Sequence, residues 1–269
     1  MKKRYIVLLI LLIVVIVTVV IFIQFTPYGY CKTIRFRGFT EVEHNIFINN
    51  SYSHVTADEN GNLITKADIP AIVGEARDRV SAMFGGELLS DPVLIFSDDP
   101  NTFRRSGKNR VWTMNLHRVF TYISLSHEFV SVDVVAHEIT HAELHHRILD
   151  GKSFRRISDF IPIWFDEGLA SINDHRRIFD RETWEIRTNN GTTIDIDVTM
   201  LTRADFQGTH VDDPFFNSLI IQEFFLFARH EVLSWFDESG TDGLLQLIDG
   251  VRAGKDFYEL YFGIREMGD

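Results

Sequence analysis

The chain has 269 residues, 45% of them hydrophobic, so it can bury a sizeable core, and its charged fraction of 24% is ordinary for a folded domain. Its formal net charge of −11 at pH 7 argues against a nucleic-acid partner, which would need a basic surface. Cys31 is the only cysteine, so no intramolecular disulfide can form and the fold must rest on its core.

The first residues predict a membrane anchor. Residues 5–25 are almost uninterrupted Ile, Leu and Val, which is about the length that a helix needs to cross a bilayer. The alternative is a cleaved signal peptide, but its apolar region is usually only about 7–15 residues long and ends at a small-residue cleavage site. No such site follows residue 25, and the bulky Tyr30 disfavours lipid attachment at Cys31. We therefore expect an uncleaved signal anchor.

The charges that flank this span predict its orientation. The short tail of residues 1–4 is strongly basic, which favours a cytoplasmic N-terminus and an extracytoplasmic domain. Basic residues between 32 and 37 oppose this orientation, but a long folded domain generally translocates despite them. The expected organisation is therefore a cytoplasmic tail (1–4), a transmembrane anchor (5–25), a juxtamembrane segment (26–40) and one folded domain (41–269).

Strand signals dominate the chain before residue 131. Runs that alternate polar and apolar residues, or that are compact and apolar between turn residues, predict strands. They lie at residues 35–39, 43–49, 92–96, 111–114 and 119–125. Between the second and third of these strands, residues 67–84 carry apolar side chains at helical spacing, and the pair Gly85-Gly86 predicts the end of that helix.

Helical signals dominate after residue 131. Ser131 is a suitable N-cap for a helix from Val132 to Leu149, and Gly151 is suited to follow its end. Pro162 predicts the start of a second, short helix. The segment 215–230 is apolar nearly all round, but it is too short to span a membrane and predicts a buried core helix. Further helical candidates lie at 244–248 and 257–262, separated by Gly250 and Gly254.

These elements predict an α+β fold. An N-terminal transmembrane helix would be followed by a mixed sheet, and a mainly helical half would follow the sheet. The helix from Val132 to Leu149 stands between the two parts and carries the chain's most specific chemical motif.

That motif is His137-Glu138-Ile139-Thr140-His141. Residues four apart on a helix face the same way, so both imidazoles can reach one metal ion, and Glu138 lies within reach of a metal-bound water. Two solvated surface histidines are the alternative, since short motifs recur by chance. The apolar residues around the motif favour an active-site helix built into a core. A catalytic zinc usually has three protein ligands, so one more is needed.

The third ligand decides the class of site. A metzincin would continue with a glycine and a third histidine three and six residues after His141, but those positions hold Leu144 and Arg147. A third ligand from a following helix is the remaining pattern. Glu167, 26 positions after His141, is the candidate.

The segment Trp164-Phe165-Asp166-Glu167-Gly168-Leu169-Ala170 carries a family resemblance. It is similar to the Asn-Glu-Gly-x-Ala helix of the thermolysin-like and M1-aminopeptidase-like gluzincins, and the layout is closest to that of small bacterial peptidase MA-like domains. The matching segments are 136–142 and 164–170, with looser similarity over 41–263. Asp166 stands where the family has asparagine.

The resemblance implies a zincin-like fold and a metallopeptidase that binds one Zn²⁺ per chain through His137, His141 and Glu167. Glu138 would be the general base in the hydrolysis of a peptide bond. The substrate would be an extended peptide or protein that adds to an edge strand, which we place near residues 121–125.

Ligating histidines usually donate their second N–H to a carboxylate or a carbonyl group. Asp174 lies seven residues after Glu167, close to two helical turns, and is therefore the expected acceptor; a simple surface aspartate is the alternative. His145 lies eight residues after His137 and is turned partly around the helix, and the other histidines lack a convincing paired spacing. We expect them to be solvated or part of the core.

The oxyanion half of the site is less well specified. Gluzincins use a tyrosine or histidine from the helical half, yet Phe215 and Phe216 stand near the corresponding place. His210 and Tyr122 are the candidate donors. This gap leaves a second hypothesis, a membrane-tethered zinc-binding pseudo-peptidase that binds extended polypeptide without efficient cleavage. A structural zinc site would need a fourth ligand, which the sequence does not supply.

Overall fold

A computed structural model describes residues 38–53, 56–57, 63–99, 111–116, 120–149, 156–189 and 214–268. In these residues the strands come first and most of the helices follow. The α+β part of the expected fold class is therefore observed.

Seven strands are described. In chain order they are β1 (Phe39–Glu43), β2 (Ile46–Asn49), β3 (Thr56–Ala57), β4 (Leu63–Ile64), β5 (Val93–Phe96), β6 (Val111–Leu116) and β7 (Phe120–Leu125). Five of them form one mixed sheet in the order β1-β2-β5-β7-β6, and β3 and β4 form a separate pair. The three central strands run parallel, whereas β1 and β6 are antiparallel to their neighbours. All four residues of β5 are buried, as expected for a central parallel strand.

The position of β7 corrects the expectation for the edge strand. Residues 121–125 pair with β5 on one side and with β6 on the other, so β7 has no free edge for a peptide. The outer strand on that side is β6. Strand order depends on contacts between distant segments, which the local alternation of residues does not encode.

The helices are α1 (Ile69–Met83), α2 (Val132–Leu149), α3 (Ile163–Ile172), α4 (Arg181–Thr188), α5 (Pro214–Arg252) and α6 (Phe257–Gly268). Short 3₁₀ turns lie at His127–Phe129, Ile157–Asp159 and Arg177–Phe179. The bounds of α2 match the predicted ones. The predicted cap is also present, because the backbone N–H of Val134 donates to the Ser131 hydroxyl at 3.2 Å.

Helix α5 is much longer than the predicted segment 215–230, and it includes the candidate at 244–248. Gly240 breaks the regular backbone inside it with a φ of 62°. Gly250 does not separate two helices, contrary to expectation. It lies within α5 where a Cβ atom would come 2.6 Å from Leu260, so its role is close packing against α6. Gly254, with a φ of 90°, follows the end of α5.

One hydrophobic core joins the sheet to the helices. Helix α1 packs on α2, α2 on α3, and α3 on α5. The short α3 is held by aromatic side chains: the ring centroids of Trp164 and Tyr261 lie 5.3 Å apart, and those of Phe165 and Trp235 lie 5.7 Å apart. All four side chains are fully buried. The second half of the chain therefore fixes α3 against the motif helix α2.

The predicted membrane anchor and the localisation based on it are withdrawn. No helix in the described part of the chain is both long enough and apolar enough to cross a bilayer. The longest, α5, is broken at Gly240, and charged side chains such as Glu223, Arg229 and Glu231 interrupt its apolar sequence. Residues 5–25, to which the anchor was assigned, lie outside the described residues. A single-pass topology with a cytoplasmic N-terminus and an extracytoplasmic domain is not retained.

Candidate metal centre

The three predicted ligands converge on one point. The Nε2 atoms of His137 and His141 lie 3.2 Å apart. One carboxylate oxygen of Glu167, Oε2, lies 3.6 Å from the first nitrogen and 3.4 Å from the second. Helix α2 therefore supplies two donor atoms and α3 the third, as the sequence predicts.

These three separations can be compared with the geometry of zinc. Bonds of about 2.0–2.1 Å in a tetrahedral arrangement place neighbouring ligand atoms roughly 3.3–3.4 Å apart. The observed distances of 3.2, 3.4 and 3.6 Å bracket that value. Two imidazoles and one carboxylate are also a donor set that catalytic zinc sites use. The residues present therefore fit a zinc ion.

The site is enclosed but not sealed. The side chains of His137 and His141 are 12% and 10% exposed, and that of Glu167 is 19% exposed. Phe225 of α5 closes one side, with its ring centroid 6.5 Å from that of His137. Partial exposure is what a catalytic site needs, because water and a substrate must reach a position beside the three ligands.

A small hydrogen-bond chain connects the end of α3 to the motif helix. Asn173 donates from Nδ2 to the Thr140 hydroxyl at 2.9 Å, and that hydroxyl donates to the carbonyl oxygen of Ala136 at 2.8 Å. Thr140 is one of the two middle residues of the His-Glu-x-x-His motif and is fully buried. This position therefore helps to fix the two helices relative to each other.

Gly168 sets how closely α3 approaches α5. A Cβ atom at this position would lie 2.5 Å from the carbonyl oxygen of Ala228 and 2.6 Å from a methyl group of Val232. Only glycine permits this approach. Because Gly168 follows Glu167 directly, close packing of the two helices and placement of the third ligand depend on the same turn of α3.

The surroundings keep Glu167 ionised. Burial raises the pKa of its carboxyl group, but the neighbouring charges of His141 and His137 outweigh burial and lower this pKa to about 2. Burial also lowers the pKa of His141, yet the charges of Asp166 and Glu167 outweigh it and hold the pKa of that imidazole well above its usual value. Two carboxylates, Asp166 and Glu167, thus act on His141, and a divalent cation would take the place of the proton on that imidazole when it binds.

Asp166 makes a contact that was not foreseen from the sequence. Its Oδ1 atom accepts a hydrogen bond from Nδ1 of His141 at 2.8 Å, so His141 turns Nε2 toward the other ligands. Asp166 is 8% exposed. The signal was available in the sequence: this residue stands immediately before the third ligand, at the family's asparagine position.

His145, predicted to be solvated or part of the core, is largely buried and also contacts Asp166. Its Nε2 atom lies 3.0 Å from Oδ1 and 2.9 Å from Oδ2 of that carboxylate. His145 stands four residues after His141 on the same helix, and its side chain is 13% exposed. A second His/Asp group therefore adjoins the metal site.

Asp174, the expected acceptor for a ligating histidine, is fully buried beside His137. Its Oδ2 atom lies 3.7 Å from Nδ1 of His137, which is too long for a hydrogen bond. The carboxylate instead accepts from Arg176, whose Nε atom lies 2.8 Å from Oδ1. The structure thus places Asp174 next to the site, but Asp166 is the residue that hydrogen-bonds a ligand.

Glu138, the predicted general base, lies between the two histidines on α2 and is partly buried. Its negative charge contributes to the raised pKa of Arg176. Burial lowers the pKa of Arg176, but the hydrogen bond and charge of Asp174, together with the charges of Asp133 and Glu138, raise it. The Arg176 guanidinium group therefore lies close enough to Glu138 for the two charges to interact.

Of the two candidate oxyanion donors, only Tyr122 lies in the described part of the chain. Tyr122 is in the inner strand β7 and is 5% exposed, which leaves little of its side chain accessible to a substrate. His210 lies outside the described residues. Both assignments remain predictions.

Comparison of the chain with protein-family models, with curated proteins and with solved structures finds no match. The resemblance to gluzincins therefore rests on the motif residues quoted above.

Proposed function

We propose that this protein is a zinc-dependent metallopeptidase of the gluzincin type. The observation that carries the proposal is the convergence of His137 Nε2, His141 Nε2 and Glu167 Oε2 at separations of 3.2–3.6 Å. The three residues would hold one zinc ion. When bound, zinc acidifies a water molecule and polarises the carbonyl group of the scissile bond.

Glu138 supplies the proton transfers. A carboxylate oxygen of Glu138 accepts a proton from the attacking water and then delivers it to the amine nitrogen of the leaving peptide. A site that only stored zinc would have no need for a carboxylate beside the ligands. The His-Glu-x-x-His spacing places this carboxylate next to both histidines on the face of α2.

The substrate class that fits the fold is an extended polypeptide. Strand β6 is the outer strand of the sheet and also contacts α2, so a peptide paired with β6 would lie beside the motif helix. Main-chain hydrogen bonds at a sheet edge bind extended chains with little regard to sequence. This position replaces the edge first expected at residues 121–125.

The first test is metal analysis of the purified full-length chain. We expect about one zinc per chain, and we expect it to be lost in His137→Ala and in Glu167→Ala. His146→Gln is the matched control, because His146 is exposed on the same helix. Wild-type protein that binds no zinc would overturn the proposal.

The second test separates an enzyme from a zinc-binding pseudo-peptidase. Cleavage of a mixed peptide library by the wild type is compared with cleavage by Glu138→Gln, which keeps the three ligands. Loss of general acid–base catalysis typically lowers the rate by about 10²–10⁴-fold. If both proteins hold zinc and neither cleaves any peptide, the pseudo-peptidase hypothesis replaces the enzyme.

A further inference from the structure

The group formed by His141, His145 and Asp166 could have two roles. Each residue offers a donor atom, and the three lie close enough together to hold a second metal ion. Alternatively, they form a hydrogen-bonded set that supports the first metal site. The distances between their atoms decide between these roles.

The contacts in this group have hydrogen-bond lengths. The separations from Asp166 are 2.8 Å to Nδ1 of His141 and 2.9 and 3.0 Å to Nε2 of His145. Ligands of a tetrahedral zinc would be roughly 3.3–3.4 Å apart. The first cluster meets that spacing and this one does not. A second ion would also have to share the His141 ring with the first.

The arrangement gives each residue a distinct place. Nδ1 of His141 contacts only Oδ1 of Asp166. Because one contact does not fix the plane of a carboxylate, the group could still rotate about its Cβ–Cγ bond. His145 approaches both oxygens, and so fixes the plane of the carboxylate. The three side chains are only 10–13% exposed, so water competes weakly for these hydrogen bonds.

We propose that His145 is a positioning residue for the metal centre: it holds Asp166, and Asp166 holds His141 with Nε2 directed toward the ion. This inference rests on the proposed function, because it assigns His145 a role only where His141 binds metal. Groups that orient ligands in this way typically contribute about 10- to 100-fold to metal affinity.

The test is a zinc titration of the full-length chain against a competing chelator. His145→Phe keeps a ring in the pocket but removes the N–H donor, and we expect zinc to bind about 10- to 100-fold more weakly. His145→Gln restores an N–H at a similar reach and is expected to recover most of the affinity. The control, His146→Gln, is expected to bind zinc like the wild type.

A second readout is the visible absorption spectrum of the cobalt-substituted protein. Its bands should shift in His145→Phe and return to the wild-type positions in His145→Gln.

A measurement on the unaltered chain does not depend on how a variant folds. In the zinc-loaded wild type, histidine ¹⁵N–¹H spectra should show Nε2 of His145 carrying a hydrogen-bonded proton. An unprotonated Nε2 would overturn the proposal. So would a zinc stoichiometry of two per chain in the wild type and one per chain in His145→Phe, because His145 would then be a ligand of a second ion.

The remaining outcomes separate the two proposals. If the wild type binds one zinc and His145→Phe binds it equally tightly, the positioning role fails and the proposed function stands. If the wild type binds no zinc, both fail.

Discussion

Asp166 and Glu167 are neighbours in the chain, yet they contact opposite nitrogens of one ring. Oδ1 of Asp166 lies 2.8 Å from Nδ1 of His141, and Oε2 of Glu167 lies 3.4 Å from its Nε2. One turn of α3 therefore supplies both a candidate ligand and the group that orients another candidate ligand. Because both side chains move with α3, the geometry of the site depends on how that helix packs.

Substitution at Asp166 tests the orienting contact. Asp166→Asn keeps one oxygen for Nδ1 of His141 but loses the second oxygen that His145 contacts, whereas Asp166→Ala loses both contacts. We expect zinc affinity to fall in the order wild type, Asn, Ala, with a total loss of about 10- to 100-fold. Chelator competition measures it. Equal affinity in all three proteins would show that Asp166 does not orient the ligand.

Gly168→Ala tests the packing of α3 on α5. The added Cβ would meet backbone at 2.5 Å, so the helices must separate, and we expect a loss of about 1–3 kcal/mol in the free energy of unfolding. Zinc binding should weaken as well, because Glu167 is displaced with its helix. Chemical denaturation measures the stability.

Gly74→Ala is the matched control for this change. Gly74 is an exposed residue inside α1 with nothing within 4 Å of an added Cβ. There alanine should stabilise the protein by about 0.5–1 kcal/mol, since it has the higher helix propensity. A Gly168→Ala protein as stable as this control would contradict the packing argument.

The parts of the fold that the sequence predicted are those set by local signals. The cap at Ser131 and the apolar spacing that follows gave the bounds of α2, and the i, i+4 spacing placed both histidines on one face. Nothing local distinguishes an edge strand from an inner one, so β7 was assigned to the edge. The sequence predicted separate helices at 215–230 and 244–248, and the structure joins both ranges in α5, with a break in the regular backbone at Gly240.

The candidate metal centre likewise combines features set by local spacing with features set by helix packing. The three candidate ligands and their spacing could be predicted because catalytic zinc sites use few residue types in characteristic patterns. The contact between His141 and Asp166 depends on how α2 and α3 pack, and the spacing argument selected Asp174 instead. Asp174 proved to be fully buried and paired with Arg176, two residues further along the chain.

Tyr52 predicts a pH dependence of stability on the alkaline side. Burial, together with the charge of Asp98, raises the pKa of its hydroxyl from 10.0 to about 12. Between these values the unfolded chain releases the proton while the folded chain retains it, so folding loses stability as pH rises through this window. The loss attributable to Tyr52 approaches about 2–3 kcal/mol.

The measurement is urea unfolding from pH 9 to pH 12, compared between the wild type and Tyr52→Phe. The phenylalanine variant has no hydroxyl to ionise, so its stability should decline less steeply over this range. Parallel curves for the two proteins would show that the Tyr52 hydroxyl does not couple to folding.

Glu143 supports the motif helix from its buried side and provides the last prediction. Its carboxylate is fully buried and accepts from the backbone N–H groups of Leu89 and Ser90, at 2.9 and 2.7 Å, and from Nε of Arg147 at 2.6 Å. Glu143→Ala would leave these donors unpaired in the core, and removal of one partner of a buried pair typically costs about 3–5 kcal/mol. Glu75→Ala, at an exposed position of α1, should change stability by less than about 0.5 kcal/mol. Because the hydrogen bonds described for Glu143 go to Leu89, Ser90 and Arg147 and not to the three proposed zinc ligands, the variant should still bind zinc below its melting temperature, and added zinc should raise that temperature. Loss of zinc binding in a folded Glu143→Ala protein would show instead that this contact fixes the position of α2 itself.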